Sequence, residues 1–194
     1  PIGARKASKY AQTKYEGDRI AWRLYAERGL PLVMVYPTAV VGPNDPKATG
    51  RYIRNVARRR MPAQVLTDAP FCFVYVGDVC EAILRALEKE DNFGEKYLVN
   101  GANLTWGEIN CMISDIGGVG LPPLRLPDGV TALSAKLLTW VADLIRRRPL
   151  LDLSVDQVAL MKQGFVIDGS KAQRELGLTY IPIRQALEEA VASS

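Results

Sequence analysis

Residues 30–36 read LPLVMVY, directly after Gly29 and directly before Pro37. A short run that is apolar on both faces suits a strand of a parallel sheet covered by helices above and below, because a strand with one wet face alternates apolar with polar residues. The flanks agree. Upstream, Ser8 to Arg28 carries Tyr10, Ile20, Leu24 and Tyr25 with Ala7, Ala11 and Ala21, which predicts a helix stopped at Gly29, and Pro37 ends the strand.

The alternation of helix and strand recurs further along. A helix is expected around Gly50 to Arg60, a short strand at AQVL (63–66), a strand at FCFVYV (71–76), a helix from Asp78 to Glu88 and a strand at KYLVN (96–100). Interleaved helices and strands of this kind predict the α/β class with parallel connections. After Asn100 the texture changes. TWGE (105–108) reads as a capping box, PPLRLP (122–127) as an extended piece, and the rest as mostly helical, which points to a second, smaller lobe. SKAQRELG (170–177) and IPIRQALEEAV (181–191) predict two last helices, with Gly177 capping the first.

Composition narrows the function classes. A chain of 194 residues with 48% hydrophobic and 24% charged residues is ordinary for a soluble globular protein. The net charge of +4 is modest, and the basic clusters Arg54–Arg60 and Arg146–Arg148 fall on predicted helices without interleaved aromatics, so they read as solvated faces rather than a nucleic-acid footprint. Three cysteines (Cys72, Cys80, Cys111) without C-x-x-C spacing, and no histidine, support neither a disulfide framework nor a metal site, and a reducing cytoplasmic compartment fits. No apolar run reaches bilayer-spanning length. The stripe Leu133, Leu137, Val141, Leu144 and Ile145 reads as a lobe helix packing on a neighbour or a twin subunit rather than a membrane-surface helix, since Asp143 interrupts its basic face.

Tyr10 and Lys14 stand four residues apart on the first predicted helix and therefore face one side. A fixed cation beside a phenol favours the phenolate and brings proton exchange with a carbonyl oxygen within reach of neutral pH. Taken alone, the spacing fits better a tyrosine packed partly on the core beside a solvated lysine.

The order YAQTK, then a strand followed by YPTAVVGPND, then FVYVGDVCEAILRALE, then YLVNGANLTWGEI and SKAQRELGL…IPIRQALEEAV, resembles the later half of extended short-chain dehydrogenases/reductases. It is most similar to the NAD-dependent epimerase/dehydratase family and its dihydroflavonol-reductase-like branch. The resemblance implies Tyr10 as catalytic acid/base and Lys14 as its tuner and ribose ligand. It also implies the loop Pro37, Thr38, Ala39 and Val40 against the nicotinamide of NAD or NADP, and a small carbonyl or alcohol substrate. Residues 1–100 would then be the C-terminal portion of a Rossmann-like domain. Residues 101–194 would be mainly a substrate lobe, with room for a return to the main domain.

The strand edge that such a portion leaves open would favour a homodimer. The glycines of IGGVG (116–120) follow a predicted helix and run into prolines, so they do not make a dinucleotide loop, and the resemblance makes this chain the C-terminal half of a longer enzyme, inactive by itself. Phe71 and Cys72 stand where sugar-nucleotide members carry an Arg-Asp pair, which favours an uncharged substrate. Gly77 replaces an acidic residue and Asp18 a glutamate, while Asp78 is expected to be the N-cap of its helix. The competing function is a non-catalytic partner-binding or regulatory module built on the same fold.

Overall fold

The computed structural model describes residues 9–65, 67–126, 129–131 and 164–193. Its first elements are helix α1 (Lys9–Arg28), strands β1 (Met34–Pro37) and β2 (Ala39–Val41), helix α2 (Ala48–Ala57), and strands β3 (Gln64–Val65) and β4 (Pro70–Tyr75). Helix α3 (Val76–Glu88), strands β5 (Lys96–Val99) and β6 (Ala102–Thr105), helix α4 (Trp106–Ile116) and strand β7 (Arg125–Leu126) follow, and helices α5 (Ser170–Leu176) and α6 (Ile183–Ala192) close the chain. This is the mixed α/β architecture expected, with β1–β5, β2–β4 and β3–β7 paired in parallel.

Gly29 ends α1 in the left-handed region at φ +64°, where the Gly29 and Leu30 amides donate back to Tyr25 and Leu24. A side chain is disfavoured there, which is why this helix stops at a glycine. The capping box is present as read: the Glu108 amide donates to Thr105 Oγ1 at 3.1 Å, and the Glu108 carboxylate accepts from the Thr105 amide at 2.7 Å. Gly177 closes α5 at φ +63°, where Arg85 donates to the Leu176 and Gly177 carbonyls.

Three expectations change. Strand β1 is half-buried along Met34–Tyr36 and exposed at Pro37, not enclosed on both faces, because β5 is its one described strand partner. Strand β6, for which the sequence suggests no element, pairs antiparallel with β4, Phe73 opposite Ala102 and Pro70 opposite Thr105. Asp78 is not the N-cap of α3: that helix starts at Val76, straight out of β4, with Tyr75 in the cap position. Asp78 instead lies buried in the first turn and accepts the Ile181 amide at 3.1 Å, fastening the segment that leads into α6. Its burial pushes the carboxyl above its ordinary value.

Two apolar cores hold these elements. One gathers Val41, Ile53, Phe71, Phe73, Trp106, Ile109, Ile113 and Leu187 between α2, α4, α6 and the β2–β4–β6 sheet. The other gathers Val74, Ala82, Ala86, Tyr97, Val99, Ala172 and Leu176 between α3, α5 and β5. Residues before and after position 100 contribute to both. The apolar stripe at 133–145 and the basic cluster at Arg146–Arg148 lie outside the described residues.

The chain passes from the β1–β5 sheet to the β2–β4–β6 sheet twice, once through Thr38 and once through Asn100–Gly101. Pro37 pairs with Val99, so the two crossings lie side by side, and the Thr38 hydroxyl donates to Asn100 Oδ1 at 3.2 Å.

Candidate active site

Helix α1 runs antiparallel to β1. Near its C-terminal end Tyr25 approaches the Phe93 carbonyl, close to where β1 and β5 begin, while nearer its middle Asp18 and Trp22 meet Tyr36, the residue before the end of β1. Tyr10 lies eight residues before Asp18 on the same helix, about 12 Å further along the axis at 1.5 Å per residue. The N-terminal turns of α1 therefore extend past the carboxyl end of β1, the side on which open parallel sheets take their ligands.

On that overhanging part Lys14 and Tyr10 share a face as their spacing predicts, and the Lys14 ammonium stands 5.6 Å from the centre of the Tyr10 ring. Both side chains are exposed, Tyr10 to 70%. The alternative reading of Tyr10 as a side chain packed on the core is thereby set aside; Ile20 is 50% exposed as well, and α1 reaches other described elements through Asp18, Trp22 and Tyr25. No described carboxylate pairs with Lys14.

Of the four residues read as a nicotinamide loop, Thr38 alone lies outside regular structure. Pro37 is the last residue of β1, and Ala39 and Val40 open β2, opposite Phe73 and Val74 of β4. Extended backbone is required there because this stretch carries the chain from one sheet to the other. The Thr38 amide donates to the Val99 carbonyl at 3.1 Å. Beyond Thr38 the polar contacts continue, as Asn100 Nδ2 donates to Asn103 Oδ1 at 3.0 Å and to the Ile167 carbonyl at 2.8 Å.

The residues here fit the nicotinamide end of a dinucleotide in the chemistry of their exposed groups. The Lys14 cation is free to meet ribose hydroxyls, and Pro37 offers an exposed apolar surface at the strand end, whereas the Thr38 hydrogen is engaged by Asn100. One cavity of about 590 Å³ runs between the approach to β1 and α3, along Val33, Val35, Ile83 and Leu87.

Phe71 and Cys72 turn out to be interior residues of β4. Phe71 packs against Phe73, Trp106 and Phe165, and the fully buried Cys72 thiol lies 3.0 Å from Asn103 Oδ1. Both positions are therefore part of the interior rather than of an exposed surface that could meet a substrate. Gly77 also has a local cause, since a Cβ there would come within 2.4 Å of the Tyr75 ring, which is held in place by its hydroxyl donating to Glu189 at 2.7 Å.

The sequence reading passed over one group at this site. The Tyr36 hydroxyl donates a hydrogen bond to Asp18 Oδ1, and Trp22 Nε1 lies 3.2 Å from that oxygen and 3.1 Å from the Tyr36 oxygen. The Lys96 ammonium covers the Trp22 ring at 4.0 Å. Burial, and then the bond to Asp18, push the Tyr36 phenol above its ordinary value, so it remains a donor at neutral pH. Asp18 and Trp22 continue the i, i+4 ridge of Tyr10 and Lys14, the one sequence signal that could have drawn attention to them.

Residues 1–100 match the family model described as the NAD dependent epimerase/dehydratase family. The chain belongs to that family. It is 36% identical over 176 residues to sterol demethylase protein B of Methylococcus capsulatus, covering 87% of this chain and 51% of that protein. It is 32% identical over 191 residues to a putative dihydroflavonol 4-reductase of Synechocystis, covering 94% and 53%. A crystal structure of a nucleoside-diphosphate-sugar epimerase from Pseudomonas aeruginosa superposes with a TM-score of 0.73 at 28% identity, over 100% of this chain and 57% of that one. The chain thus spans about half the length of the curated relatives it matches. Among the described residues no helix is long and apolar enough to cross a membrane.

Proposed function

We propose that this chain carries the proton-transfer half of an NAD(P)-dependent oxidoreductase that reduces a ketone or oxidises an alcohol. The observation behind this reading is the Lys14 ammonium standing 5.6 Å from the Tyr10 ring on a helix that extends past the carboxyl end of β1. In the reducing direction the Tyr10 O–H bond breaks as its proton passes to the carbonyl oxygen, while the bound nicotinamide supplies the hydride to the carbon. Lys14 stabilises the negative charge left on the phenol oxygen and holds the ribose. Pro37 and Thr38, with the Ala39 and Val40 backbone, would hold the nicotinamide end of the cofactor.

An uncharged ring compound is the substrate class. Two relatives are named for a sterol and a dihydroflavonol, which supports this class. The test is Tyr10→Phe in the intact protein, assayed with NADPH and a dihydroflavonol. Turnover is expected to fall by about 10²- to 10⁴-fold with NADPH affinity unchanged, and undiminished turnover overturns the reading.

A further inference from the structure

The residues that tie α1 to the strand beneath it stand directly between the two parts of the proposed site. Tyr36 precedes Pro37, so whatever fixes Tyr36 also fixes the strand end that turns into Thr38 and β2. Asp18 follows Lys14 by one helical turn and Tyr10 by two, so whatever fixes Asp18 sets both the rotation and the axial height of the proton-transfer pair. Trp22 locks the arrangement from the next turn, reaching both the Asp18 carboxylate and the Tyr36 oxygen. The other tertiary hydrogen bond from α1 to a described residue is the long 3.4 Å contact of Tyr25 with the Phe93 carbonyl, at the far end of the helix.

We propose that Asp18 and Tyr36 are a positioning pair that registers α1 against the carboxyl end of β1 and thereby sets where Tyr10 and Lys14 stand relative to the nicotinamide. This rests on the role given to Tyr10 above. A hydrogen-bonded pair suits the task better than apolar packing, since a carboxylate that accepts both a phenol and an indole donor has one geometry, whereas apolar faces can slide. Neither residue touches the reacting atoms; they act through the helix.

The experiment uses the intact protein and the variants Tyr36→Phe, Asp18→Ala and the double variant, assayed with NADPH and a dihydroflavonol. Each single variant is expected to lower kcat about tenfold, with KM for both reactants within about twofold of the parent, because displacement of a reacting group by a fraction of an ångström acts on the chemical step. The double variant should be no worse than either single one. A kcat within about twofold of the parent, a loss carried by KM, or multiplied losses in the double variant would each overturn the proposal.

Hydrogen exchange supplies a readout free of substrate. Amides of residues 10–17 should exchange about tenfold faster in Tyr36→Phe while those of residues 70–75 stay as in the parent, and unchanged exchange at 10–17 defeats the pair even without turnover data. Normal turnover of Tyr10→Phe sinks the functional reading. Normal turnover of Tyr36→Phe beside an inactive Tyr10→Phe sinks the positioning alone.

Discussion

Helix α1 and helix α6 are built on opposite terms. Along α6, Ile183, Ala186, Leu187 and Ala190 are buried in one stripe, and the helix is held by close packing against α2, α4 and the sheet. Along α1 no described side chain is fully buried, Tyr10 and Ile20 stand out in solvent, and attachment to β1 comes from a few directed polar groups at Asp18, Trp22 and Tyr36. Packing fixes a fold and tolerates small shifts, whereas directed hydrogen bonds fix one geometry with little stabilisation. The helix proposed to do chemistry is thus placed by geometry, and helix α6 by buried area.

The sharpest way to break this contrast is to compare one residue from each helix. Tyr10→Phe should abolish nearly all turnover yet leave unfolding by urea within about 0.5 kcal/mol of the parent, since an exposed side chain away from the core contributes little to stability. Leu187→Ala should do the reverse, costing about 2–5 kcal/mol through lost burial and the cavity left in the first core, with the chemical step intact in whatever remains folded. A Tyr10→Phe protein that unfolds early, or a Leu187→Ala protein as stable as the parent, would dissolve the distinction.

Much of the fold could be read from short-range pattern, and the failures have a common cause. Gly29, Gly177 and the Thr105–Glu108 box are local devices whose geometry is complete within one helical turn, so the sequence declares them. Strand β6 is not of that kind: ANLT alternates apolar with polar over only four residues, too few to declare a strand, and it is one because β4 offers it an edge. Asp78 is a good cap by residue type, but β4 runs straight into α3 and moves the helix start ahead of it. At the site, Tyr10 and Lys14 were visible because they share a helix. Asp18 and Tyr36 lie 18 residues apart on different elements, and no spacing rule joins them. The half-exposure of β1 was hidden for the same reason, since an apolar run says what a strand could bury but not what lies beside it.

Smaller effects sharpen the comparison on the side of the lobe. Thr105→Ala should cost about 1 kcal/mol by removing the hydroxyl that caps α4, measurable as a shift in the urea midpoint with an unchanged slope. The Glu108 partner adds a pH dependence. Hydrogen bonds from the Thr105 amide, then from its hydroxyl, hold the Glu108 carboxyl below its ordinary 4.5, so its contribution is present above that value and is lost as pH falls through the lowered one. Exchange of the first α4 amides should therefore speed up modestly below about pH 4.5, after correction for intrinsic rates, and Glu108→Gln should remove that dependence. Helix α1 lacks an acidic first turn and should show no matching change.

The paired crossings at Thr38 and Asn100–Gly101 limit how the two sheets can move. Because both connections pass through one place and are bonded to each other there, the sheets resemble covers joined along a spine: sliding past one another would break the Thr38–Asn100 and Thr38–Val99 bonds, and Val74 of β4 packed with Tyr97 and Val99 of β5 holds them on the same side of that join.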